Sequence, residues 1–188
     1  VLATKYSLSM REDDPNAFGN HRKNLVQAVN ASLKRLNTDY IDLLWLHAWD
    51  FMSPVDEVMR ALDDLVKQGK VLYVGVSDTP AWVISQANTM SEFRGWSPFI
   101  GMQLEYSLIQ RDIEREYMPM AKAMDIGVAA WGPLGGGVLT GKYTREKLES
   151  NSVDSLRTNA NQSRVNDRNL KIAEEVQKIS HEIGFSCS

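Results

Sequence analysis

The chain has 188 residues, 43% of them hydrophobic and 24% charged, the composition of a globular domain large enough to bury a core of its own. A formal net charge of -3 supplies no basic field for nucleic acid or an anionic membrane surface, and no apolar run is long enough to cross a bilayer. The single cysteine, Cys187, excludes an internal disulfide and fits a reducing, cytoplasmic setting.

Taken in chain order, the elements alternate. VLATKY reads as a strand, and RKNLVQAVNASLKRL carries Leu25, Val29, Leu33 and Leu36 at helical spacing. YIDLLWLH is a second strand. Ser53-Pro54 predicts a helix start with serine as N-cap and proline in the first turn, Val55, Met59, Leu62 and Val66 line one face, and Gly69 predicts the stop. VLYVGVS is a third strand, and Thr79-Pro80 predicts another helix start by the same device. FIGMQLEY is a fourth strand, followed by a helical stretch around Asp112–Met124 with Pro119 as a break or restart. IGVAAW is a fifth strand. A polar, glycine-containing loop from Gly135 to about Asn166 leads to a last helix marked by Leu170, Ala173, Val176, Ile179 and Ile183 and closed by Gly184.

Strands apolar on both faces and joined by helices predict an α/β fold with a parallel sheet. No G-x-G-x-x-G follows the first strand, so the fingerprint of the open dinucleotide-binding sheet is absent. Polar residues gather instead at strand C-terminal ends, where a (β/α)8 barrel collects its active site: Lys5, His47, Ser77 and Gln103, with Trp131 and its loop. The expectation is a partial TIM barrel of five β/α units, strands 3 to 7, forming one incomplete domain over residues 1–188. The chain opens on Val1 within a strand and stops at HEIGFSCS just after a helix, so an internal fragment with two open sheet edges is expected.

Each polar residue has a plain structural reading. Lys5 could snorkel, His47 could be a hydrogen-bonded rim histidine, and Ser77-Asp78 could open a turn. Alternation, however, places Ala3 and Lys5 on one face, and a lysine facing a barrel interior needs a partner. Lysine and histidine in one cleft can tune a neighbouring acid and orient a carbonyl. The glycine run after Trp131 could offer backbone N–H groups to phosphate oxygens, with Lys142 adding charge. Asp50, three residues past His47, is one carboxylate beside one histidine, and His21 and His181 do not complete a metal set; no metal is expected.

In their joint order, ATK, RLNTDYIDLLWLHAWD, GKVLYVGVSD, MQLEYSLIQR and AAWGPLGGGVLTGKY resemble the aldo-keto reductases, the branch that includes aryl-alcohol dehydrogenases and potassium-channel β subunits. The resemblance covers nearly the whole chain. It implies a (β/α)8 barrel that binds NADP(H), with NAD(H) left open, and reduces aldehydes or ketones, a small-molecule carbonyl substrate. It further implies that Lys5 and His47 match the catalytic lysine and the histidine that orients the substrate carbonyl. Gln103 matches the glutamine on the nicotinamide carboxamide, and Ser77 and Asp78 stand where the family has Ser-Asn, so Asp78 lacks an amide donor. Trp131 matches the residue stacked on the nicotinamide ring. Gly132, Pro133, Leu134, Gly136, Leu139, Gly141 and Lys142 match the loop over the pyrophosphate.

The family's catalytic tyrosine and aspartate lie upstream of the ATK strand, outside these residues, so the fragment alone is expected to be inactive. Tyr6 alternates away from Lys5 and does not replace the tyrosine. Asp50 is expected to hold the loop after His47. The alternative function is a cofactor-binding regulatory subunit, as in the channel-associated relatives. Oligomeric state is left open.

Overall fold

The computed structural model describes residues 1–9, 11, 13–143 and 162–188. In order, β1 is Ala3–Tyr6, α1 Arg22–Leu36, β2 Ile41–Leu46, α2 Val55–Lys67, β3 Val71–Ser77, α3 Ala81–Arg94, β4 Phe99–Glu105, α4 Tyr117–Ala123, β5 Gly127–Trp131 and α5 Asp167–Ile183. The strands form one five-stranded sheet in chain order, β1 to β5, and the β1–β2, β2–β3 and β3–β4 pairs are parallel. Helices return the chain between successive parallel strands, as in a (β/α)8 barrel, so the α/β expectation holds over these five strands. Of the loop expected from Gly135 to about Asn166, residues 144–161 lie outside the described residues.

The chain divides into two compact units. The first comprises Val1–Leu104 and Glu114–Ala129, the second Glu105–Ile113 and Ala130–Ser188. In the first unit the helix-facing side of the sheet supplies Tyr6, Leu44, Leu46, Val74, Val76 and Met102, which are buried along with Leu25 and Val29 of α1, Val58 and Leu62 of α2, and Val83 and Ile84 of α3. The other side is organised by register. Lys5 pairs with Trp45, Trp45 with Gly75, and Gly75 with Gly101, so these four form one row across the sheet. A Cβ on Gly75 would stand 2.6 Å from ring carbons of Trp45, and one on Gly101 would stand 3.4 Å from the same ring. The two glycines therefore make the slot that the indole fills.

Helix ends follow the expected signals with two corrections. Ser53 and Thr79 are not the N-caps; Pro54 and Pro80 occupy those positions and make no side-chain cap. The Ser53 hydroxyl donates to Asp50 Oδ2 at 2.7 Å, and the Thr79 hydroxyl donates to the Ser77 carbonyl at 2.8 Å. The helices begin one residue later than expected, at Val55 and Ala81, because Pro54 and Pro80 keep ψ at 137° and 141° and so leave Ser53 and Thr79 one position outside the cap. Asp56 and Glu57 lie in the first turn of α2, where carboxylates favour the positive end of the helix dipole. Gly69 and Gly184 follow the ends of α2 and α5 with positive φ, as expected of helix stops. The stretch around Asp112–Met124 resolves into a 3-10 turn at Asp112–Glu114 and then α4, with Pro119 in the first turn of α4, where its missing N–H is tolerated.

In the second unit Ile109, Val138, Leu139, Tyr143, Leu170 and Ala173 form a small core, with Val165, Ile172 and Val176 packed against it. The apolar stripe of α5 is covered only in its first half, since Ile179 and Ile183 are exposed.

Candidate active site

The first unit brings together Lys5, His47, Ser77, Asp78 and Gln103 at the C-terminal ends of β1 to β4. Lys5 Nζ donates to Gln103 Oε1, a pairing between residues 98 apart in sequence. It supplies the partner that an inward lysine requires. His47 follows β2 directly, and its N–H donates to the Tyr6 carbonyl at 2.9 Å, continuing the β1–β2 ladder one residue past the strand. Lys5 and His47 also border an open groove of about 890 Å³ that runs along α1, from Asn24 to Arg35, and that Ser77, Asp78 and Gln103 do not line.

Partial burial, followed by the positive charge of Lys5, holds the His47 imidazole below the usual histidine range, while Asp78 pulls it the other way. His47 is thus neutral near pH 7, a ring with one N–H donor. Tyr6 is 3% exposed, and its hydroxyl is directed to the Asn20 carbonyl at 3.4 Å, away from Lys5. Burial, then the nearby Asp50 carboxylate, raises its pKa far above the tyrosine range.

Ser77 is 1% exposed and pairs in register with Gln103, yet its hydroxyl has no hydrogen-bond partner among the described residues. Asp78 is exposed and adopts φ 38°, and its N–H donates to the Gln103 carbonyl at 3.4 Å. Asp50 holds the loop after His47. Its Oδ1 accepts from the N–H groups of Met52 and Ser53, each at 2.9 Å, and its Oδ2 accepts from Asn20 N–H and the Ser53 hydroxyl, each at 2.7 Å. Burial opposes its charge, but these bonds outweigh it and leave the carboxyl below its ordinary pKa. The turn so formed places Phe51 at φ 58° with its ring exposed.

The second unit carries the loop after β5. Gly132, Gly135, Gly136, Gly137 and Gly141 all have positive φ, and the non-helical Gly136 and Gly137 kink the Gly135–Thr140 segment so that it is not one continuous helical turn. Several of its N–H groups are used internally: Gly135 donates to Gly132, Gly137 and Leu139 to Leu134, and Gly141 to Val138. Pro133 and Leu134 are exposed, Leu139 belongs to the small core, and Lys142 Nζ lies 4.8 Å from the centre of the Tyr143 ring. The Arg164 guanidinium lies 5.9 Å from the centre of the Trp131 ring and pairs with Glu105 at 2.5 Å. Arg164 had no signal in the sequence, since it lies far along the chain from both partners. Asn20 and Ser7 beside His47 were likewise missed. Among the described residues no cluster of three or more His, Cys, Asp and Glu side chains could hold a metal, and no helix is long and apolar enough to cross a membrane.

Comparison with known proteins adds family context. A family model described as the aldo/keto reductase family matches residues 1–188. The chain is 40% identical over 190 residues to "Probable aryl-alcohol dehydrogenase AAD4" of Saccharomyces cerevisiae, covering 98% of this chain and 57% of the relative. It is 48% identical over 142 residues to norsolorinic acid reductase of Aspergillus flavus, covering 73% of this chain and 37% of the relative. It is 36% identical over 193 residues to aryl-alcohol dehydrogenase [NADP(+)] of Phanerodontia chrysosporium, covering 98% of this chain and 50% of the relative. The chain spans about half the length of the curated relatives it matches over its whole extent.

Proposed function

Because the chain belongs to the aldo/keto reductase family, we propose that the protein carrying it is an oxidoreductase that reduces aldehydes or ketones to alcohols with NADP(H), and that Lys5 and His47 act on the reacting carbonyl. The observation that carries this reading is the placement of Lys5, hydrogen-bonded to Gln103, and His47 at the C-terminal ends of two paired strands. A neutral imidazole N–H can donate to a carbonyl oxygen and strengthen that bond as negative charge develops there. The Lys5 ammonium, tethered by Gln103, adds a positive charge near His47 and favours the ionised form of any nearby phenol.

The residues fit a nicotinamide group. The unpartnered Ser77 hydroxyl, buried beside Gln103, is a polar atom that a carboxamide would satisfy. Ser77, Asp78 and Gln103 would hold that carboxamide, with Asp78 able only to accept. For the second unit, taken by itself, the family resemblance supports Trp131 as the residue that stacks on a nicotinamide ring and Gly132, Pro133, Leu134, Gly136, Leu139, Gly141 and Lys142 as a pyrophosphate loop. The bound cofactor supplies the hydride. NADP(H) rather than NAD(H) is supported by the Phanerodontia relative, which is named as an NADP(+) enzyme. An aromatic carbonyl substrate is supported by the exposed Phe51 and by the aryl-alcohol names of the relatives.

The test is NADPH oxidation by the full-length protein with an aromatic aldehyde. Saturable turnover that Lys5→Met abolishes is expected. Tight NADPH binding with no turnover of any aldehyde or ketone would overturn the reductase reading in favour of a cofactor-binding regulatory subunit. Residues 1–188 alone are proposed to be inactive, because the Tyr6 hydroxyl is directed away from Lys5. Aldehyde-dependent NADPH oxidation by the isolated chain above its Lys5→Met control would refute that.

A further inference from the structure

We propose that Asn20 is a positioning residue that sets the direction of His47 by holding the backbone on both sides of it. The inference rests on the reading above, in which His47 meets the substrate carbonyl. Asn20 is 0% exposed, and each polar group of its side chain is engaged. Its Nδ2 donates to the Ser7 hydroxyl and to the Ala48 carbonyl, each at 2.9 Å. Its Oδ1 accepts from Asp50 N–H at 2.8 Å, and its own N–H donates to Asp50 Oδ2 at 2.7 Å. The Ser7 hydroxyl in turn accepts from His47 N–H at 3.3 Å. One carboxamide thus reaches the N–H side of His47 through Ser7, the carbonyl of the next residue directly, and Asp50 two residues further on.

A turn that needed only to close would not require this residue. Asp50 already closes the loop with its own bonds to Met52 and Ser53. Asn20 adds to this closure the bonds to Ser7 and Ala48 that hold the backbone at His47 itself. Ser7 is held at φ 119°, a left-handed value unusual for a residue with a Cβ, and that conformation is where its hydroxyl meets both Asn20 and His47 N–H. A fully paired buried amide is a rigid fixture, and catalysis is sensitive to small displacements of an orienting donor.

The experiment uses the full-length protein with Asn20→Leu, which removes the amide, and Ser7→Gly, which removes the hydroxyl link. Glycine adopts positive φ readily, so Ser7→Gly keeps the backbone in place even where Asn20→Leu fails to fold. Expected are a fall in kcat of tenfold or more for Asn20→Leu and several-fold for Ser7→Gly, with KM for the carbonyl and for NADPH changed less than twofold. The second readout is the Cε1–H signal of His47 by NMR, assigned with a His47→Gln variant. It should be single and sharp in the parent, and broadened or doubled in both variants. An unchanged His47 signal with unchanged kcat in folded Ser7→Gly overturns the proposal. If the parent turns over no carbonyl, the reductase reading fails by itself, and the NMR comparison still decides whether Asn20 orders His47.

Discussion

The Lys5 ammonium of β1 and the Gln103 carboxamide of β4 meet over one face of the sheet, with β2 and β3 between their strands. In a flat sheet those backbones would be separated by three gaps, roughly 14 Å at about 4.8 Å each. Side chains from the same face converge most readily over the concave side of a curved sheet, the geometry of a barrel interior. Replacing Gln103 with leucine leaves the lysine without this acceptor. Gln103→Leu should lower stability by about 1 kcal/mol, the ordinary net worth of one hydrogen bond, and weaken NADPH binding about tenfold. Urea unfolding and quenching of tryptophan fluorescence by the cofactor would check the two halves independently.

The slot for Trp45 makes a sharper prediction. A methyl group at Gly75 would stand 2.6 Å from the indole, inside any van der Waals contact, and Trp45 is itself buried at 7% exposure. Gly75→Ala should therefore destabilise by about 1–3 kcal/mol through overpacking. A denaturation midpoint equal to the parent's would show that the indole is free to move.

Asp50 links acid sensitivity to the loop after His47. Its folded-state pKa lies below the ordinary value, so the unfolded chain binds the proton more tightly. The stabilisation is present above about pH 4, near the ordinary aspartate value, and is lost as pH falls through the folded-state pKa. Asp50→Ala should cost about 2 kcal/mol at pH 7, as expected for hydrogen bonds to a charged acceptor, and should flatten the acid limb of the stability curve. Thermal unfolding from pH 3 to pH 7 would show a parallel offset instead if Asp50 did not titrate in this way.

His47 adds to acid sensitivity with the same sign, although here it is the neutral form that folding favours. Its folded-state pKa is depressed, so the unfolded state binds more protons as pH falls below about 6.5, the ordinary histidine value, and stability declines there. Two substitutions separate the causes. Lys5→Met removes a positive neighbour and should raise the His47 pKa, whereas Asp78→Asn removes a negative one and should lower it. An NMR titration of the His47 ring that moved the same way in both variants would contradict the assignment.

The sequence by itself determined the alternation of strands and helices, the places where most helices stop, and the presence of Lys5, His47, Ser77 and Gln103 at strand ends. These rest on local periodicity and on the chemistry of glycine and proline, which act within a few residues. It was weaker even locally at Ser53 and Thr79, because a proline takes either the cap or the first helical position, and the sequence does not say which. Only the tertiary structure decided that Lys5 is answered by Gln103, that Gly75 and Gly101 are spaces for Trp45, and that Arg164 covers Trp131. The same holds for Asn20, whose partners Ser7, Ala48 and Asp50 come from three separate segments around His47. Such pairings depend on strand register and on the curvature of the sheet, which arise when distant segments pack and leave no periodic trace in the chain.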